Sequence, residues 1–207
     1  FDLPFRVETP EDREDALAAP FRRAVVDIQV PDTVVIDLTL PEDEILSRMK
    51  SKTRYNVRLS ARRGVTVRMA GAEELDLWYD MAKETAARDR ITLHSRDYFE
   101  ALFEEAGARE DTGMKLLIAE ESGAPLAAII ISIFGRRCIY NFGASRTAGR
   151  NLMPTFALQW KAIQYAKAAG CTSYDLLGIP PTDNPDHPLA GLYRVKTGYG
   201  GEIVHRA

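Results

Sequence analysis

Little in this sequence would serve metal or covalent chemistry. Its 207 residues include only three histidines and two cysteines. His94, His187 and His205 show no helical ligand spacing and no companion cysteine pair, the patterns by which zinc is bound, so no metal is expected. Cys138 and Cys171 lie in apolar stretches without paired spacing, which reads as reduced core thiols in a cytoplasmic protein. No Gly-x-Ser-x-Gly turn is present to lift a nucleophilic serine. Long apolar runs are missing as well. Leu126 to Phe134 is strand-length and interrupted by Ser132, short of the ~18 residues a membrane helix needs, so stable membrane insertion is not expected. Phe1 to Pro20 has neither the basic start nor the apolar centre of a signal segment and reads as the tail of a preceding unit.

Acid is scarce in one place. Between Arg48 and Arg68 there are eight basic residues (Arg48, Lys50, Lys52, Arg54, Arg58, Arg62, Arg63, Arg68) and no Asp or Glu, although the chain as a whole carries a net charge of −3. A positive stripe on an otherwise acidic body fits either a phosphate-bearing partner or a solvated helix face.

The apolar spacing gives an order of elements. Thr33 to Thr39 is β-branched and closed by Pro41, a strand; Pro41-Glu-Asp-Glu44 then opens a helix with acids in its first turn. A second helix, Lys52 to Arg63, stops at Gly64, and Val65 to Met69 alternates as a short strand. Leu75, Trp78, Met81, Ala82 and Thr85 mark one helical face, and Tyr98, Phe99, Leu102 and Phe103 a shorter one. Three strands follow, Met114 to Glu120, Leu126 to Phe134 and Arg137 to Phe142, joined by hairpin-length turns. A helix from Leu152 to Ala169 should bury Leu152, Phe156, Trp160, Ile163 and Ala166. Thr172 to Leu177, Leu189 to Val195 and Glu202 to His205 complete the chain as strand, short helix or turn, and strand; Ala24 to Gln29 allows a short strand near the start. Helices on a mixed sheet in this order give an α/β domain that resembles the N-acetyltransferase (GNAT)-like class.

In coenzyme-A enzymes of that class a glycine-rich loop at a helix N-terminus holds a pyrophosphate. Here the place is taken by Arg146-Thr-Ala-Gly149-Arg-Asn151, with Asn151 where a small residue is wanted and Pro154 removing an amide. An acetyl-coenzyme A N-acetyltransferase is therefore the alternative reading. A non-catalytic RNA-binding module is a third, weakened because Tyr55 is the only aromatic residue interleaved with the basic run.

Several strings carry a sharper likeness: Thr33-Val-Val-Ile-Asp-Leu38, Lys52-Thr-Arg-Tyr-Asn-Val-Arg58, Arg62-Arg-Gly-Val65, Ala87-Arg-Asp89, Tyr98-Phe99, Tyr140-Asn-Phe-Gly-Ala-Ser145, Gln159-Trp160, Tyr174-Asp-Leu-Leu-Gly-Ile179 and Gly191-Leu-Tyr-Arg-Val-Lys196. In this order they resemble the Fem family of peptidoglycan-bridge aminoacyltransferases. The resemblance implies residues 1–36 as the remnant of a first acyltransferase-like domain and 37–207 as the second. It implies transfer of an amino acid from aminoacyl-tRNA to the stem-peptide side chain of a UDP-linked or lipid-linked peptidoglycan precursor, with no cofactor. It places Arg88 on the precursor's diphosphate, Lys196 as the catalytic cation at the reacting ester, Tyr193 beside it, and Phe142 against the acceptor where the family can carry a tyrosine. With a nucleic-acid donor, Arg54, Arg58 and Arg62 become the expected tRNA contacts. An activated ester needs no nucleophile or metal, only positioning and charge stabilisation. Asp175 is a candidate base by charge and equally a buried, turn-forming aspartate.

Overall fold

The computed structural model describes residues 30, 32–107 and 112–205. The suggested strand at Ala24 to Gln29, like most of the expected remnant, lies outside them. Seven strands form one mixed sheet in the order β2-β3-β4-β5-β6-β1-β7. They are β1 (Asp32–Asp37), β2 (Thr66–Ala70), β3 (Thr112–Glu121), β4 (Ala124–Phe134), β5 (Arg137–Ser145), β6 (Ser173–Ile179) and β7 (Glu202–Val204). The helices are α1 (Glu42–Arg48), α2 (Ser51–Arg62), α3 (Leu75–Asp89), α4 (Arg96–Gly107), α5 (Pro154–Ala168) and α6 (Ala190–Thr197). All neighbouring strands are antiparallel except β5 and β6. The sheet takes in β1 between β6 and β7, so it begins ahead of residue 37.

The apolar run in β4 is explained by burial on both faces. Ala127, Ile129 and Ile131 point into one core with Leu117 and Ala119 of β3, under α1, α2 and α5. Ala128 and Ile130 point into the other with Leu116 and Ile118, under α3 and α4. A strand covered on both sides cannot alternate polar and apolar. The β3–β4 turn has positive φ at both Ser122 and Gly123, the backbone of a hairpin turn whose twist matches its strands.

On α3 the buried set is Leu75, Trp78, Met81, Ala82 and Thr85, as the 3.6-residue spacing predicts. On α5 the face differs from the expected one. Leu158, Gln159, Ala162, Ile163 and Ala166 are buried, whereas Phe156 and Trp160 are half-buried flanks. Alanines at 162 and 166 let the helix axis approach the sheet, and the bulky rings are displaced to its sides; Phe156 stacks on Tyr199 with centroids 6.2 Å apart.

Candidate active site where two parallel strands part

β5 and β6 pair only from Arg137↔Ser173 to Ile139↔Asp175. Past that point β5 runs on to Ser145 and β6 to Ile179 with no shared register, so backbone groups on their facing edges are left for other partners. A bulge in β5 shapes this opening. Ile130 pairs with Phe142 and Ile131 with Tyr140, which makes Asn141 the extra residue. Tyr140 and Phe142, two apart, would share a face in a regular strand. The bulge sends Tyr140 to the first core, and Phe142 to the second, where its ring meets Phe99 at 5.1 Å and Trp78 at 6.3 Å. Asn141 Oδ1 is buried with no hydrogen-bond partner. Gly143 is needed beside it, because a Cβ there would overlap the Tyr140 hydroxyl.

Lys196 comes to this opening from α6. It is 8 % exposed, donates from Nζ to the Gly178 carbonyl oxygen of β6 at 2.9 Å, and lies 5.8 Å from the centre of the Tyr140 ring. Burial pulls its ammonium down to about 8, an effect that the Asp175 carboxylate opposes. Burial pushes the Tyr140 phenol up to about 12, so it stays protonated. Below them Tyr174 donates its hydroxyl to Gln159 Oε1 at 2.7 Å, which is why a glutamine is tolerated inside α5. The site thus offers one shielded cation at a gap between strands. Such a cation is worth more to a developing oxyanion than one in water.

The other residues picked out in the sequence are placed as follows. Tyr193 is half-buried against the first core and lines an open cleft with Lys50, Asp183 and Arg194. Arg88 belongs to the opposite layer. It donates to the Ser145 carbonyl oxygen at 2.9 Å, at the far end of β5, and forms a two-pronged pair with Asp89. Arg88 and Lys196 therefore stand at the ends of the two parting strands, one from each helical layer. Phe142 faces α3 and α4, and the ring beside Lys196 is Tyr140. Neither that switch nor the buried state of Lys196 is visible in the sequence, because a one-residue bulge leaves no mark in the apolar spacing.

On α2, Lys52, Tyr55, Arg58 and Arg62 share the exposed face, with Lys52 and Arg62 held 5.4 and 5.7 Å from the Tyr55 ring centre. Arg54 is turned inward and donates from Nη1 to the carbonyls of Leu46, Ser47 and Met49 at the end of α1. Acids missing from the local sequence arrive through the fold: Arg48 pairs with Glu44, and Arg68 with Glu74 and Glu120.

The loop after β5 does not fit a coenzyme A pyrophosphate. The Thr147 N–H donates to Glu84 Oε1 at 2.6 Å, and Arg146 pairs with the same carboxylate at 3.3 Å. These contacts hold Glu84 below the usual carboxylate range. A carboxylate already sits where the amide would meet phosphate, and it would repel one. Pro154 opens α5 without an N–H to add. Among the described residues no three His, Cys, Asp or Glu side chains are grouped to hold a metal ion, and no helix is long and apolar enough to cross a membrane.

A family model described as an acetyltransferase (GNAT) domain matches residues 47–187. The chain is similar to the lipid II:glycine glycyltransferase of Staphylococcus saprophyticus, 22% identical over 232 residues, covering 84% of this chain and 56% of that one. It is similar to the protein of the same name from Staphylococcus aureus, 22% identical over 237 residues with the same coverage. It spans a little over half the length of these relatives. Among solved structures FemX superposes with a TM-score of 0.85 at 19% identity, covering 99% of this chain and 69% of FemX. The L-PGS structure from Bacillus licheniformis superposes at 0.59 and 16% identity, covering 86% of this chain and 59% of that one. At these identities the superpositions establish a shared fold.

Proposed function

Because the chain belongs to the acetyltransferase (GNAT) domain family, we propose that it is the acyl-transferring part of a Fem-type aminoacyltransferase, moving an amino acid from aminoacyl-tRNA to the side-chain amine of a peptidoglycan precursor's stem peptide. The observation that carries this reading is the pairing of a shielded Lys196 at the strand opening with a following loop whose amide is taken by Glu84. That pairing favours a donor other than coenzyme A. The curated relatives, named for glycyl transfer to lipid II, favour a lipid-linked precursor as acceptor.

In the proposed step the neutral acceptor amine attacks the ester carbonyl. A C–N bond forms, the C–O bond to the ribose breaks, and the amine's proton ends on the ribose oxygen. Lys196, charged at neutral pH, meets the transient oxyanion. Arg88 binds precursor phosphate once the phosphate displaces Asp89 from its fork. The outer face of α2 carries RNA phosphates, with Tyr55 as a surface for a base.

The test is transfer by the full-length protein, with a panel of aminoacyl-tRNAs and both lipid-linked and UDP-linked precursors, read by mass spectrometry of the stem peptide. Addition of one aminoacyl residue is expected. Acetylation from acetyl-coenzyme A in the absence of any aminoacyl transfer would replace this reading by the acetyltransferase one.

A further inference from the structure

β6 is kinked where it passes Lys196. Thr33 pairs with Gly178 and Val35 with Asp175, so three steps along β6 answer two along β1. Within the extra length Leu177 has φ 55°, a left-handed conformation that is strained for a non-glycine residue and is kept only if neighbours hold it. Asp175 does the holding. It is fully buried, its Oδ1 accepts the Leu177 N–H at 2.8 Å and the Thr33 hydroxyl, and its Oδ2 takes the Arg137 guanidinium. The residue after the held one is Gly178, whose carbonyl oxygen receives Lys196 Nζ.

We propose that Asp175 is the positioning residue for Lys196: its carboxylate fixes the kink that aims the Gly178 carbonyl at the ammonium, and, paired with Arg137, it places a negative charge in the same buried region. A role as general base does not suit it, since it is sealed from solvent and its oxygens are engaged with Thr33, Leu177 and Arg137. The proposal rests on the reading of Lys196 as the cation at the reacting ester. Among the described residues, the charged and titratable groups recorded around that ammonium are Asp175 with its partner Arg137 and the Tyr140 phenol on β5, behind which lie the buried phenols of Tyr174 and Tyr199.

Two isosteric variants of the full-length protein test it, Asp175→Asn and Arg137→Gln. The first readout needs no substrate: competitive labelling of Lys196 by acetic anhydride across pH, quantified on its peptide. The wild-type midpoint should fall near the value of about 8 that burial sets. Asp175→Asn keeps an acceptor for Leu177 but removes the charge, so the midpoint should move down. Arg137→Gln leaves Asp175 uncompensated, so the midpoint should move up. A merely structural carboxylate gives no such opposed pair, and an unmoved midpoint in Asp175→Asn overturns the proposal. The second readout is aminoacyl transfer, where Asp175→Asn should lower kcat about tenfold at pH 8 with KM unchanged, its alkaline limb shifting with the labelling midpoint. If the midpoints move in opposite directions while wild type transfers no aminoacyl group, the positioning role stands and the transfer reading falls.

Discussion

The basic helix α2 and the single lysine of α6 are two ways of using positive charge. On α2, Lys52, Arg58 and Arg62 stand in solvent, screened within about 10 Å at ordinary salt and free to meet a mobile polyanion. On α6, Lys196 is buried against one carbonyl and one tyrosine ring, and burial pulls its ammonium down to about 8. A basic stretch suggests binding, but each exposed cation is weak; one cation shielded from water is what the proposed chemistry on an ester would use. Counting charge along the sequence ranks the two regions in the wrong order for the proposed catalysis.

The contrast breaks most visibly in stability. Burial lowers Lys196 from 10.5 to about 8, so below pH 8 it is charged in both folded and unfolded states and the full penalty of burying the charge is present. Between pH 8 and 10 the folded protein gives up that proton first, and stability rises, by up to ~3 kcal/mol if the shift were fully expressed. The buried thiols act in the opposite sense from about pH 9, since burial holds Cys138 up to about 12 and raises Cys171, and the Tyr140 phenol joins them above about pH 10. Urea unfolding of the wild type at pH 7.5, 8.0 and 8.5, below the range in which the thiols count, should show the rise, and Lys196→Met should remove it. No α2 substitution should change that slope.

Catalysis should separate Lys196 from Arg88. In the full-length enzyme Lys196→Ala is expected to slow transfer by ~10²-fold, the usual loss for one oxyanion-stabilising group, with little change in precursor affinity. Arg88→Ala should act mainly on KM for the precursor. Steady-state kinetics at saturating aminoacyl-tRNA tell the two apart, and a Lys196→Ala enzyme with the wild-type kcat would remove this lysine from the reaction.

For the outer face of α2 the expectation is a salt-dependent loss. Arg58→Glu with Arg62→Glu should reduce tRNA retention in filter binding roughly tenfold or more and flatten the salt dependence by about one unit of slope per lost phosphate contact. Thermal unfolding should shift only slightly, since both side chains are exposed and Arg62 gives up only its Tyr55 contact and its place in the last turn of α2. Unchanged retention would leave α2 as a solvated face only.

What could be read in advance follows from which forces leave a periodic trace. The buried stripe of α3 was legible because large apolar residues recur every 3.6 positions, and the β3–β4–β5 meander because its turns are short. The packed face of α5 was misjudged because periodicity weights bulky rings, whereas close approach to a sheet is decided by small residues such as Ala162 and Ala166. At the site, strings alone drew attention to Lys196 and Arg88. They could not show that a bulge at Asn141 exchanges Tyr140 for Phe142, that Glu84 closes the loop after β5, or that Asp175 ties the β6 kink, since each depends on partners dozens of residues away. Arg54 was grouped with Arg58 and Arg62 for the same reason: adjacency in sequence hides the direction in which a helix points its side chains.

Arg54 therefore supplies the finest test of the comparison. It lies one turn from Arg58, yet its Nη1 is 2.9 Å from the Ser47 and Met49 carbonyl oxygens and 3.2 Å from that of Leu46. These are carbonyls of the last turn of α1 and its cap, of which Leu46 also takes the Met49 N–H at 3.3 Å, and a guanidinium that bonds all three is a structural clasp between α1 and α2. Arg54→Ala should then lower stability by ~1 kcal/mol, the scale of a partly exposed charged hydrogen-bond group, measured as a shift in the urea midpoint. Its tRNA retention should match wild type, in contrast to the Arg58 and Arg62 reversals. A loss of retention equal to theirs, with the urea midpoint unmoved, would mean that Arg54 leaves the clasp to join the outer face when RNA is bound.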